Sequence, residues 1–301
     1  MAHRNTARGV LFLTLIALLC AGGAAAHDTL PAKKKGPVPT FVFPVLGETN
    51  YTDSFGDARG QGGHEGTDIM APRWAPVVAA EDGTIKLWTT SARAGCMLYL
   101  YGKSGTTYLY IHLNNDKGQG NDNSGGCVTG VAYAPGLKNG AHVVAGQQIA
   151  FNGNSGDADS TGSHVHFEVH PGDGGAVNPY PYLKKARTLL FGATRGTTFT
   201  AALTGKVVAA LGEDLRLGVQ QLRVWPGGRT LAQSGQKVDV HVPGEATIEG
   251  VALAAGLAYP TLDLLKQGTT VTVWTTPAKV TLAAQAGEKG ALSAARIVLK
   301  K

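Results

Sequence analysis

The chain has 301 residues, long for one domain and comfortable for two, and its 27 Lys and Arg outnumber its 21 Asp and Glu to give a formal charge of +6. That mild positive balance draws an exported protein toward anionic surfaces such as cell-wall polymers or phospholipid head groups, and it serves plain solubility equally well. Beyond the N-terminal run no segment is apolar enough to cross a bilayer as a helix, so neither a transmembrane anchor nor a nucleic-acid partner is expected.

Residues 1–26 read as an export signal. Arg4 and Arg8 precede the apolar run VLFLTLIALLC, and GGAAAHD supplies small residues at Ala24 and Ala26 for cleavage. Cys20 makes a poor lipid-attachment site because the bulky Leu18 and Leu19 stand directly before it. Removing the signal takes two arginines and no acid from the charge. Residues 27–40 follow as an extended tether, with three consecutive lysines and Pro31, Pro37 and Pro39.

From FVFPV to about Leu183 short β-rich runs alternate with glycine-marked turns. They are APVVAAEDGTIKLWTT, MLYLYG, TTYLYIHL, AHVVAGQQIAFNG and HVHFEVH, broken by EDG, KSG and GNSG. No helix-length insertions separate them, which excludes parallel βαβ units and predicts an antiparallel all-β domain over 41–185. Residues 113–140, rich in glycine and asparagine, form a long loop over one end of the sheet. Cys96 and Cys127 are an even pair outside the cytoplasm, which favours a disulfide. A second region, 194–301, has its own strand-like runs and reads as a small β-barrel or sandwich, although the stretches around Ala201 and Leu253 also suit helices.

The chemistry concentrates in two motifs. GSHVHFEVH, read as a strand, places Val165, Phe167 and Val169 on one face and His164, His166, Glu168 and His170 on the other. Upstream, GGHEGTDIMAP carries His64 and Asp68 with three residues between them. Two imidazoles and one carboxylate, His64, Asp68 and His166, make a sound zinc set, because three protein ligands leave a fourth position for water. Neither motif alone is specific. No glutamate stands in an HExxH arrangement, so a thermolysin-style helical site is excluded.

Taken with their flanks, these residues resemble the lysostaphin/LytM-type zinc metallopeptidases, which are peptidoglycan endopeptidases. The resemblance rests on DSFGDARGQGGHEGTDIMAPRWAPVVAAEDGTI, YLYIHLN, GNSGDADSTGSHVHFEV and VNPYPYL, and covers roughly residues 41–183. It implies one catalytic Zn2+ on His64, Asp68 and His166, with His112 and His164 as the catalytic pair beside the metal-activated water. It further implies peptidoglycan as substrate and a periplasmic or extracellular location. Residues 194–301 lie outside it and are expected to dock the enzyme on the wall or on another cell-wall protein.

Other side chains invite plainer readings. Glu168 is expected to support the ligands and His170 to be solvated, while His142, His241, Tyr108, Tyr110 and Trp88 suit structural roles. GNSGDADSTG reads as a groove wall. Arg73 and Trp74 stand where members of the family usually carry a small turn, so the groove rim is expected to differ there. Two competing functions are a non-catalytic regulator that activates amidases and a general secreted metallopeptidase; the five filled positions weigh against the first.

Overall fold

A computed structural model describes Met1 and residues 37–60, 62–89, 91–228, 230–251 and 261–300. The chain divides into Met1–Ala32 and a compact unit, Lys33–Lys301. The export signal, most of the tether and the stretch around Leu253 lie outside the described residues.

The strands of the first region are β1 (Ala58–Arg59), β2 (Gly62–Gly63), β3 (Thr67–Met70), β4 (Pro76–Val78), β5 (Gly83–Trp88), β6 (Cys96–Gly102), β7 (Thr106–Leu113), β8 (His142–Val143), β9 (Gln148–Phe151) and β10 (His164–Pro171). Six of them form one antiparallel sheet in the order β3-β10-β7-β6-β5-β8, while β1 pairs β2 and β4 pairs β9. Period-two alternation sorts the side chains. Ile69, Val165, Phe167, Val169, Tyr108, Tyr110, Leu98, Leu100 and Ile85 face inward, where they are fully or almost fully buried. The β4–β9 pair and the segment through Phe41, Phe43 and Val45 pack against that inner face. Phe41 meets the rings of Tyr108 and Phe167 at 5.6 and 5.8 Å. Tyr110 accepts the Ala80 amide at its hydroxyl and Tyr108 donates to Glu81, so both tyrosines are committed to the core and away from the histidines.

The expected loop between Leu113 and His142 holds no named strand or helix, and it is tied down at two places. Cys127 is bonded to Cys96 on β6. Buried Asp116 pairs with Arg73, which also donates to Asn154 Oδ1 at 2.8 Å, and Trp74 Nε1 donates to the Gly118 carbonyl at 2.7 Å. The unusual Arg73–Trp74 turn is thus the anchor of the unusual loop. The disulfide closes a loop of 31 residues, which restricts the unfolded chain. Replacing both cysteines by alanine is expected to cost about 3 kcal/mol, read as a lower urea midpoint with a somewhat larger m-value, since the unfolded chain is freed to expose more surface.

The second region contains β11 (Thr198–Leu211), β12 (Asp214–Trp225), β13 (Thr230–His241), β14 (Thr247–Glu249), β15 (Thr270–Thr275), β16 (Ala278–Lys279) and β17 (Ala294–Leu299). They form one seven-stranded sheet around a core that includes Leu203, Leu215, Leu217, Val238, Val271 and Ile297. The stretch around Ala201 is strand β11. One pair in this sheet, β14 and β17, runs parallel. The short connection between the regions is packed, with Leu189, Leu190 and Phe191 buried. Gln285 Nε2 donates to the carbonyls of Gly146 and Phe191, both at 3.0 Å, which seals the junction.

Candidate active site

The outer face of the six-stranded sheet carries the histidines. His166 lies directly opposite Asp68 in the β10–β3 register, so the two side chains leave the same face side by side. His64 enters from the turn before β3, where its amide donates to Asp57 O and its carbonyl accepts from Gly56 N. The result is a tight triangle. His64 Nε2 and His166 Nδ1 are 2.8 Å apart, and each is 3.0 Å from Asp68 Oδ1. These three residues form a group able to hold a metal ion.

Their outer atoms decide what the triangle can bind. His64 Nδ1 lies 2.8 Å from the Ser54 carbonyl, which can only accept, so that nitrogen carries the proton. His166 Nε2 lies 2.9 Å from Glu168 Oε1 and donates in the same way. With the outer nitrogens as donors, the neutral rings of His64 and His166 would both turn inner lone pairs to the centre, and Asp68 adds a carboxylate oxygen. Three converging lone pairs fit a cation, and two imidazoles with one carboxylate fit zinc. Arg59 donates to Asp68 Oδ2 at 3.0 Å, which fixes the carboxylate and leaves Oδ1 for the triangle.

The electrostatics agree. Burial opposes charge on Asp68, but the hydrogen bond from His166 and the charges of His164, His166 and His64 hold its pKa well below the usual carboxylate range. Burial also disfavours protonated His166, yet the Asp68 and Glu168 carboxylates outweigh it and raise that pKa to about 9. A proton thus competes with a metal for Nδ1, and loading must release it. Glu168 is lowered to about 2: burial is overcome by hydrogen bonds from His166 and His170. His170 is not solvated as expected. Its Nε2 donates to Glu168 Oε2 at 2.6 Å and its Nδ1 faces Gly174 O at 2.8 Å, because Glu168 sits between two imidazoles on one strand face.

Gly66 explains the spacing in HEGTD. A Cβ built there would lie 2.6 Å from Phe167 O and 2.7 Å from His166 Nε2, so only glycine lets the turn pass this close to β10. Gly66→Ala is expected to push His166 off Glu168 and weaken zinc binding about 10–100-fold, measured by chelator competition, with the fold retained by circular dichroism.

His112 and His164 stand beside the triangle. Their rings are 5.1 Å apart, centroid to centroid. His112 Nδ1 donates to Ser155 O and His164 Nδ1 to Gly162 O, each at 2.9 Å, so in each ring Nε2 is the nitrogen left for the cleft. His164 Nε2 is 3.8 Å from Asp68 Oδ1, and His112 Nε2 is 3.8 Å from Asp157 Oδ1. Simple alternation would have sent His112 inward with Tyr108 and Tyr110. Instead two residues of β7, Ile111 and His112, oppose Met97 alone between the paired positions Tyr110↔Leu98 and Leu113↔Cys96. His112 adopts φ 61° in that bulge and turns to the outer face. Burial and the adjacent His164 push its pKa down to about 4, which keeps the ring neutral at pH 7.

All five residues line one open cleft of ≈ 660 Å³, whose walls also hold Arg59, Gly63, Arg93, Ala94, Asp157 and Thr161. Asp157 and Thr161 belong to the expected groove wall. Arg59, Arg93 and Gly66 escaped sequence reading. They lie in the quoted segments or beside them, but only the folded register shows what they touch.

Residues 62–179 match the model of peptidase family M23. Over 155 residues the chain is 28% identical to an L-Ala--D-Glu endopeptidase of Bacillus subtilis, covering 48% of this chain and 42% of that one. Over 118 residues it is 32% identical to an uncharacterised metalloprotease of Haemophilus influenzae, covering 38% and 20%. The chain thus spans less than half the length of the curated relatives it matches. Among solved structures, the catalytic domain of lysostaphin from Staphylococcus simulans is similar at 24% identity over 45% of this chain and 92% of that one, with a TM-score of 0.34. The stretch that matches the peptidase family M23 model, residues 62–179, contains the whole metal triangle and both flanking histidines.

Proposed function

We propose that the protein is an exported zinc-dependent endopeptidase that hydrolyses peptide cross-links or stem peptides of bacterial peptidoglycan. The observation that carries this reading is the convergence of His64 Nε2, Asp68 Oδ1 and His166 Nδ1 beneath an open cleft, beside two histidines whose Nε2 atoms are free to exchange protons. A zinc ion held at the triangle would supply Lewis-acid chemistry to water and to an amide carbonyl.

The protein's own residues do the rest. His64, Asp68 and His166 would hold the ion, and Ser54 O, Arg59 and Glu168 hold those three in place. Neutral His112 is suited to take a proton from the attacking water, and its Nε2 to return one to the departing amine. His164, when protonated, is placed to donate to the oxygen on which negative charge develops. Glycine and alanine on the walls leave the cleft open to a thin, polymeric chain. The B. subtilis relative, an L-Ala--D-Glu endopeptidase, supports a wall peptide as substrate. Export rests on the signal-like sequence of residues 1–26, and a wall- or partner-docking role is proposed for residues 194–301.

Digestion of isolated sacculi followed by mass analysis of the muropeptides tests the proposal. New amino termini are expected, lost on chelation and restored by zinc. Untouched sacculi would contradict it, with casein cleavage pointing to a general peptidase and amidase stimulation to a regulator.

A further inference from the structure

The outer sheet face continues beyond the metal triangle. Cross-strand partners share a face, and the register carries two rows from the histidine strand across the sheet. One row runs Glu168, Leu109, Tyr99, Lys86; the next runs His170, Thr107, Tyr101, Thr84, His142. Trp88 extends the same face along β5, two residues from Lys86. Tyr99 therefore lies two strand spacings, ~10 Å, from the strand that bears His166.

Trp88, Tyr99 and Tyr101 are contiguous. Trp88 and Tyr99 meet at 6.1 Å between centroids, and Tyr99 and Tyr101 at 6.2 Å with planes 16° apart. Tyr101 is 39% exposed and the other two partly so. Lys86 places its ammonium 4.8 Å from the Trp88 ring and 5.4 Å from Tyr99, with no carboxylate partner among the described residues. Cross-strand aromatics help to hold any sheet, but a continuous aromatic set that stays partly open to solvent suits a contact surface.

We propose that Trp88, Tyr99, Tyr101 and Lys86 form a binding platform for the N-acetylated amino-sugar strand of the same polymer whose peptide enters the cleft. This rests on the endopeptidase reading. Pyranose rings present flat C–H faces that stack on aromatic rings, and flat side chains on a sheet suit a flat, rigid ligand. A lysine among the rings adds a cationic donor for acyl and carboxyl oxygens. Continuity of the two rows with Glu168 and His170 places the strand alongside the cleft, so that glycan and peptide can be held at once. Such double engagement raises the local concentration of the peptide at the metal without any new contact to it.

Isothermal titration of the full-length protein with chitotetraose, which contains no peptide, tests the platform. Binding is expected, weakened about tenfold by Tyr101→Ala and by Trp88→Ala and less by Lys86→Gln, a tenfold loss being ~1.4 kcal/mol. Unchanged zinc content and melting temperature show that each variant is folded. No heat from the wild type at millimolar sugar would overturn the proposal. So would binding indifferent to all three substitutions, or platform-dependent binding of a stem peptide in place of the sugar. Sacculus digestion scores the endopeptidase reading separately, so a negative titration beside active digestion sinks the platform alone.

Discussion

His166→Ala is expected to leave the protein folded, without zinc and without hydrolytic activity. The imidazole supplies one of three ligand atoms, and its loss leaves His64 Nε2 and Asp68 Oδ1 as the remaining pair. Losing both water activation and carbonyl polarisation removes several kcal/mol of transition-state stabilisation, a fall in kcat on the order of 10⁴-fold or more. Zinc content by elemental analysis should drop from about one ion per chain to near zero at micromolar free zinc. Circular dichroism should not change, because the buried inner face of β10 is built by Val165, Phe167 and Val169. A variant that keeps zinc and turns over normally would remove His166 from the site.

His112→Ala is expected to behave differently, with zinc retained and catalysis lost. His112 touches none of the three ligand atoms closely; its ring contacts are with His164 at 5.1 Å and His166 at 6.1 Å between centroids. Removing a general base or acid typically costs about 10²–10⁴ in rate, and the loss should fall on kcat with little change in KM. Alanine keeps a Cβ at the same left-handed backbone position, so the substitution removes the imidazole without relieving the backbone. If zinc and activity disappeared together, His112 would be holding the ligands in place and not moving protons. Full activity would remove it from the mechanism.

The two variants mark the limit of what the linear sequence conveys. The metal set was legible because its members lie in two short motifs whose spacing survives any plausible turn, and because β10 pairs with both neighbours without a bulge. Its opposition to β3, which joins the motifs, is set by long-range pairing that no local pattern encodes. His112 was legible only through resemblance. Its own strand, TTYLYIHL, points it into the core by period, and a bulge against Met97 reverses that. Likewise Arg73 and Trp74 stood out as an irregular turn, but their purpose depends on Asp116 and Gly118 some forty positions away. The stretch around Ala201 could pass for a helix because Ala201, Ala202 and Leu203 include strong helix formers, whereas in strand β11 they alternate in burial. Glu168 shows the opposite case: its supporting place followed directly from standing two residues after His166 on one face.

The central claim is that one zinc ion is held by two imidazole nitrogens and one carboxylate oxygen, with a position left for substrate chemistry. Zinc K-edge absorption on the metal-loaded protein measures this directly. The expected spectrum shows about four light-atom neighbours at about 2.0–2.2 Å, two of them with the outer-ring scattering of histidine and none of them sulfur. A sulfur ligand near 2.3 Å, or a shell without histidine, would place the ion elsewhere and contradict the site.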